Sequence, residues 1–385
     1  MDEVARLLAD MVSIPSVNPC GADVQGDIYF ETRMADYVED YLRRIGVDVE
    51  RQTVHPGRDN VIGRVVGRDR SRHILLEAHT DTVPGEGMEF DPFRPFIKDG
   101  RLYGRGSCDT KGSLTAMLIA LRRLVEEGAP PCSITMLAAV DEEHRFTGVL
   151  HFVEHEDFSS AGAITEAVVG EPTAREIVIA HKGCVRWRLR TRGKAAHSSQ
   201  PENGINAIYR MARVVQALEQ FNTEQLRQRS YHPLLGYPTL SVGTITGGQA
   251  ANVVPDECVV QIDRRLLPGE DPETAVREVE DYLKDRENID FEFESEEPFL
   301  KDMAMETSPE AMIVQRFRRA CAAVYGMAKV SGVPFGTDAS KITPKGIPAV
   351  VFGPGDIRLA HTAGEFVPLD EVHQVVEILV SVLSE

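Results

Sequence analysis

Several absences narrow the field before any motif is considered. The 385-residue sequence has six cysteines, Cys20, Cys108, Cys132, Cys184, Cys258 and Cys321, with no C-x-x-C pair and no disulfide-like cadence. They are expected to be reduced and buried, as in a cytoplasmic protein. No apolar run reaches the roughly 20 residues that a bilayer span requires. The opening residues, Met1 to Arg6, read as an acidic amphipathic helix rather than a signal peptide. Basic runs are missing as well. Lys and Arg number 42 against 60 Asp and Glu, a net charge of −18, which argues against nucleic acid and anionic membrane surfaces as partners. Internal repeats and low-complexity tracts are absent.

What is present suits a soluble globular chain long enough for two domains with their own cores. Apolar residues make up 42% and charged residues 26%. Helices are expected near 2–12, 29–45 and 110–127, with short strands near 47–54, 60–67, 73–78 and 132–140. The third helix puts Leu114, Met117, Leu118, Leu121 and Val125 on one stripe. Strand, acidic loop, helix, strand is the βαβ rhythm of a mostly parallel α/β sheet. The stretch 84–103 reads as a loop. From residue 182 the order becomes β-α-β-β-α-β, a ferredoxin-like α+β unit. We take 182–295 as an inserted domain, with 1–181 and 296–385 forming the first; the acidic run 292–297 before Pro298 is the expected hinge. A helix near 308–325, a strand at 347–352 and a closing helix from 369 complete the reading.

The chemistry-bearing residues cluster at strand ends. Leu75-Leu76-Glu77-Ala78-His79-Thr80-Asp81 reads as a buried strand that stops at a histidine. Strand alternation turns His79 and Asp81 to one side, so Asp81 can hold one ring nitrogen while the other binds a metal. Alone, a His-x-Asp after a strand is more often a hydrogen-bonded core pair. Four further stretches change the weighing: Asp109 before a helix, Glu142 and Glu143 after the next strand, Glu171 in Gly-Glu-Pro-Thr, and His361 in Ala-His-Thr-Ala-Gly. Each follows an apolar run, as loops on the rim of an open α/β sheet do. Imidazole and carboxylate without thiolate suit zinc, cobalt or manganese at a catalytic site. Cys108 adjoins Asp109 but is read as a neighbour.

Taken together, His79-Thr-Asp81, Gly-Arg-Gly before Asp109-x-Lys-Gly, Asp-Glu142-Glu143, Glu171-Pro-Thr and His361 occur in the order seen in a known family. The chain resembles the co-catalytic zinc amidohydrolases and exopeptidases that include acetylornithine deacetylase, succinyl-diaminopimelate desuccinylase, aminoacylase and glutamate carboxypeptidase. The resemblance implies two divalent ions bridged by Asp109, with His79 and Glu171 completing one and Glu143 and His361 the other. It implies Glu142 as general base, a cis peptide after Asp109, and a lid or dimerisation role for the inserted domain, hence a homodimer. Within that domain His197 resembles the oxyanion-stabilising histidine, Asn252 and Arg265 resemble residues that hold a substrate carboxylate, and Gly336-Thr337 matches a loop near the substrate. Thr110 departs from the methionine of many relatives, and His144-Arg145-Phe146 has no familiar counterpart.

An arginine fork suits a carboxylate, and strand alternation lets only one of Arg264 and Arg265 face a site. The expected substrate is a small molecule with a free carboxylate, and the expected reaction is release of an acyl group from an N-acyl amino acid. An exopeptidase of the same family is the alternative; a catalytically silent scaffold is a third. His151 and His155, four apart on a helix, form a lesser candidate for chelation.

Overall fold

The computed structural model describes residues 1–229 and 231–385. The chain divides into two compact units. The first comprises Met1–Ile179, Thr307–Ser331 and Thr337–Glu385; the second comprises Ala180–Glu306 and Gly332–Gly336.

In the first unit, apolar runs fully buried on both faces build a central sheet. Strands Cys132–Ala139, Asp69–His79, Glu166–Val169 and Ala349–Val351 lie side by side and parallel. Every residue of Cys132–Ala139 is buried, the signature of a strand covered by helices on both faces. Antiparallel pairing extends this core through Arg58–Val65 to Asp48–His55 on one side, and Val178 pairs with Val351 on the other. Helices Glu3–Val12, Lys111–Glu126, Met312–Tyr325 and Leu369–Ser384 share one continuous core with the sheet. Each fully buried Val, Leu, Ile or Phe there contributes about 1.5–3 kcal/mol relative to exposure. Within 84–103, read from sequence as a loop, Phe96–Lys98 and Arg101–Tyr103 form a hairpin that pairs with Phe366–Pro368.

The second unit has its own core around Trp187, Leu189, Val214, Leu218, Val260 and Val279. Strand Gly183–Arg192, helix Ala207–Gln220, strands Thr239–Gly247 and Glu257–Leu266, helix Pro272–Lys284 and strand Phe293–Ser295 follow in the ferredoxin-like β-α-β-β-α-β sequence. Counted along the chain, the strands stand in the order second, third, first, fourth, all antiparallel. Glu257–Leu266 alternates buried and half-buried positions throughout, so Arg264 faces the core and Arg265 the outer face. Leu300–Asp302 also pairs with Gly183–Arg192, which carries this unit past residue 295.

The acidic run 292–297 is therefore no hinge. Its strand pairs with Leu189 to Thr191, and Glu294 and Glu296 meet Arg190, Arg192 and Arg188 across the sheet. A solvent-facing strand with cationic partners carries the same charge signature as a linker.

Candidate metal centre

The first unit brings the expected ligands together because its parallel strands end in register. His79 is opposite Ala139, and the backbone N–H and hydroxyl of Thr80 both donate to the Ala139 carbonyl, at 2.8 and 2.9 Å. The segments that follow, 79–81 and 141–143, thus leave the sheet side by side. Glu171 arrives from the neighbouring strand through Gly170, whose N–H donates to the Glu77 carbonyl at 2.8 Å. A Cβ at Gly170 would stand 2.8 Å from the Ser113 Cβ and 3.2 Å from the Ala78 Cβ, so only glycine lets the strand pass the helix there. Asp109 immediately precedes the buried helix Lys111–Glu126, and the Asp109–Thr110 peptide is cis. His361 occupies a left-handed position (φ 60°) in the loop between Ile357–Leu359 and Phe366–Pro368.

Two histidines meet one carboxylate from opposite ends. His79 Nε2 lies 3.1 Å from Asp109 Oδ1, and His361 Nε2 lies 3.2 Å from Asp109 Oδ2. Glu143 is 3.1 Å from His361 Nε2, and Glu171 is 3.9 Å from His79 Nε2. Ligand atoms of His79, Asp109 and Glu143 lie within 4.8 Å of one another, as do those of His79, Glu142 and Glu171.

Asp81 departs from the expected arrangement. His79 Nδ1 is 3.0 Å from the main-chain carbonyl of Asp81, while the carboxylate Oδ1 is 3.6 Å away. That carboxylate instead accepts from the N–H groups of Glu142 and Glu143, at 3.2 and 3.1 Å, and from Asn18 Nδ2 at 2.7 Å. Asp81 fixes the ring through its backbone and the acidic loop through its side chain. Cys108, as expected, is a neighbour: its thiol contacts the Asp356 carbonyl at 3.5 Å, and burial raises its pKa well above the ordinary value.

Electrostatically the cluster calls for positive charge. Burial, then repulsion from Glu171, raises the Glu142 pKa; burial, then Asp109, raises those of Glu143 and Glu171. Burial works against a proton on His79, yet Asp109 and the other carboxylates push its pKa well above the ordinary value. Asp109 and Glu143 raise His361 to about 10. Carboxylates this close cannot all ionise without cations among them. Divalent ions would supply that charge, and the oxygen and nitrogen donor set fits them.

A second tier supports these residues. Buried Glu365 accepts from the N–H groups of Cys108 and Asp109, at 2.9 and 3.2 Å, and pairs with Arg105. Lys111 is wholly buried and donates to the carbonyls of Met11 and Ile14 at 3.0 and 2.8 Å; burial lowers its pKa to about 7. Glu365 and Asn18 escaped the sequence reading; the only cue is a polar residue close to an otherwise readable motif.

The remaining candidates lie mostly in the second unit. His197 is exposed, with Nδ1 2.8 Å from Ser199 Oγ. The short pairing of Ala196–His197 with Val253–Val254 brings it beside Asn252, whose carbonyl accepts from the Ser198 N–H at 3.0 Å. Arg265 is half-buried; Asp263 accepts from its Nε at 2.7 Å and from Nη2 at 3.3 Å. At Gly336 a Cβ would come within 2.2 Å of Asp302 Oδ2, so a side chain there would require the Asp302 carboxylate to move. Thr337, in the first unit, is fully buried, and its hydroxyl accepts from the Ala339 N–H at 3.2 Å. It builds the turn. His151 and His155 stack at 4.1 Å on helix Thr147–His155, and no three-ligand group among the described residues includes them.

Comparison with known proteins decides the family. The profile of peptidase family M20/M25/M40 matches residues 75–385. The chain belongs to this family. It is 34% identical over 353 residues to an acetylornithine deacetylase of Myxococcus xanthus, with 88% of each chain covered. An M20 family metallo-carboxypeptidase from Sulfolobus solfataricus has a similar fold, with TM-score 0.79 and 19% identity over 100% of this chain and 99% of that one. So does a dinuclear metal-binding M20 peptidase from Bacillus subtilis, with TM-score 0.70 and 14% identity over 99% and 96%. This M20 protein is a metal-dependent hydrolase that acts on amide or peptide bonds. No helix among its described residues is long and apolar enough to cross a membrane.

Proposed function

We propose that the protein is a dinuclear deacylase that removes the acyl group from an N-acyl amino acid. The observation that carries this reading is the placing of His79 and His361 on the two oxygens of Asp109. A carboxylate so shared is suited to bridge two ions. His79 and Glu171 would complete one and Glu143 and His361 the other; zinc is the metal we favour, with cobalt or manganese as substitutes. When bound, the ions supply Lewis acidity toward the scissile carbonyl and lower the proton affinity of water.

The remaining work falls to the chain. Glu142, within the cluster and raised in pKa by burial and Glu171, takes a proton from water and returns it to the leaving amine. His197 donates to the developing oxyanion. Arg265, steadied by Asp263, and Asn252 hold the substrate carboxylate. Gly336 and Thr337 contribute the shape of their turn.

Deacylation is favoured over exopeptidase action because the deacetylase likeness runs over 88% of both sequences. Exposed Ile208, Tyr209 and Ile245 on the second unit support a homodimer formed through that unit. Six free cysteines support a reducing, cytoplasmic setting. The test is Glu142→Gln, assayed on N-acetyl and N-succinyl amino acids and on dipeptides. Turnover of the preferred N-acyl amino acid is expected to fall by about 10²–10⁴-fold with metal content unchanged. Wild-type turnover in the variant would refute the base, and cleavage of dipeptides alone by the native enzyme would refute deacylation.

A further inference from the structure

The loop Asp141-Glu142-Glu143 carries, in the reading above, both the base and a ligand, and its own anchorage is unusual. Asp141 is a non-glycine residue held in the left-handed region at φ 65°. Its carboxylate is gripped by three donors: Arg58 Nη1 at 2.7 Å, Asn18 Nδ2 at 3.0 Å and Thr147 Oγ1 at 2.6 Å. Its N–H donates to Glu31 Oε1 at 3.3 Å, and its carbonyl accepts from Phe146 N at 2.7 Å.

Arg58 is the centre of this anchorage. It stands at the start of strand Arg58–Val65 and binds Glu31 through Nε, at 2.8 Å, and Nη2, while Nη1 reaches Asp141. Asn18 then joins Asp141 to Asp81, the residue that accepts from the Glu142 and Glu143 N–H groups. Arg58, Glu31, Asn18, Asp81 and Asp141 are each at most 7% exposed. One guanidinium thus offsets a set of buried carboxylates and bridges two of them, which requires a planar fork rather than a point charge.

We propose that Arg58 is a positioning residue for amide hydrolysis: by clamping Asp141 it fixes the left-handed turn that aims Glu142 and Glu143 into the metal cluster. Without the clamp Asp141 relaxes toward negative φ, and the two glutamates rotate away from the positions that Asp109 and His361 require. A group that only stabilised the fold would lower the unfolding temperature and leave the native enzyme's chemistry alone. A positioning group changes kcat and metal affinity in the folded protein, with KM unmoved.

The test compares Arg58→Ala and Arg58→Lys with wild type, each first shown folded by circular dichroism. In Arg58→Ala, kcat is expected to drop by about 100-fold, the scale of a misplaced catalytic group, with KM constant. Cobalt titration of the metal-free protein, followed by absorption, is expected to show one ion bound about 10- to 100-fold more weakly. Guanidinium ion at about 20 mM, far below denaturing concentration, should restore much of the lost kcat by refilling the cavity. Arg58→Lys keeps the charge but not the fork and should show the same pattern in milder form, which serves if Arg58→Ala does not fold. Wild-type kcat and cobalt affinities in either folded variant would overturn the proposal, as would a loss that appears equally in kcat and KM. The inference rests on Glu142 and Glu143 acting as described; failure of that reading shows separately, as an active Glu142→Gln enzyme.

Discussion

The two units hold their functional candidates in opposite ways. In the first, His79, Asp81, Asp109 and Glu171 are buried and His361 is exposed, but each is braced by a neighbour's main chain or by a charged partner. In the second, His197 and Asn252 stand in solvent, and Arg265 is engaged by one aspartate. The contrast suits the tasks proposed for the two sets. Ion ligands must be held in mutual repulsion before any ion arrives, which demands a rigid frame. Groups that meet a substrate need only become ordered when it binds.

The largest effect that would break this contrast is on His197. His197→Ala should reduce kcat by about 10²–10³-fold, the usual cost of one oxyanion donor, while metal content stays at the wild-type level. A drop in bound metal would move His197 into the rigid set and erase the distinction. Next comes Arg265→Ala, expected to raise KM for free-carboxylate substrates by about tenfold or more, with kcat little changed. An unchanged KM would mean that the outward-facing arginine does not read the carboxylate.

A stability effect sharpens the rigid side. Burial lowers the Lys111 pKa to about 7, whereas the unfolded chain keeps its ordinary value of 10.5. Between those values the unfolded state binds more protons than the folded state, so this residue makes stability rise with pH. The slope approaches about 1.4 kcal/mol per pH unit and vanishes below the folded value. Denaturant unfolding of wild type against Lys111→Met across pH 7 to 10 should show that slope disappear in the variant. Equal slopes would mean that Lys111 stays charged when buried.

The clustered residues His79, Glu143 and Glu171 were readable in the sequence because each ends or follows a buried apolar strand. Asp109 was readable because a helix begins just after it, although that helix is buried nearly all round rather than amphipathic; His361 sits in a loop and was found by its motif alone. The ferredoxin-like unit was readable from its apolar periodicities. Bracing residues were not. Asn18, Glu31, Arg58 and Asp141 converge from four separate stretches, and no local pattern announces a polar contact across 123 residues of chain. Asp81 was assigned to its histidine by strand alternation, but the chain leaves the sheet after His79, so the carboxylate turns to the 142–143 backbone. Charge pattern misled at 292–297, where glutamates pairing with arginines on the adjacent strand look like a solvated linker.

Asp109 is proposed to serve two ions at once. Equilibrium cobalt or zinc binding to metal-free wild type and Asp109→Asn, counted by elemental analysis on folded protein, tests that claim directly. Two ions per chain in the native protein and a marked loss in the variant are the predicted result; a single ion in the native protein, or two undiminished in the variant, would contradict it.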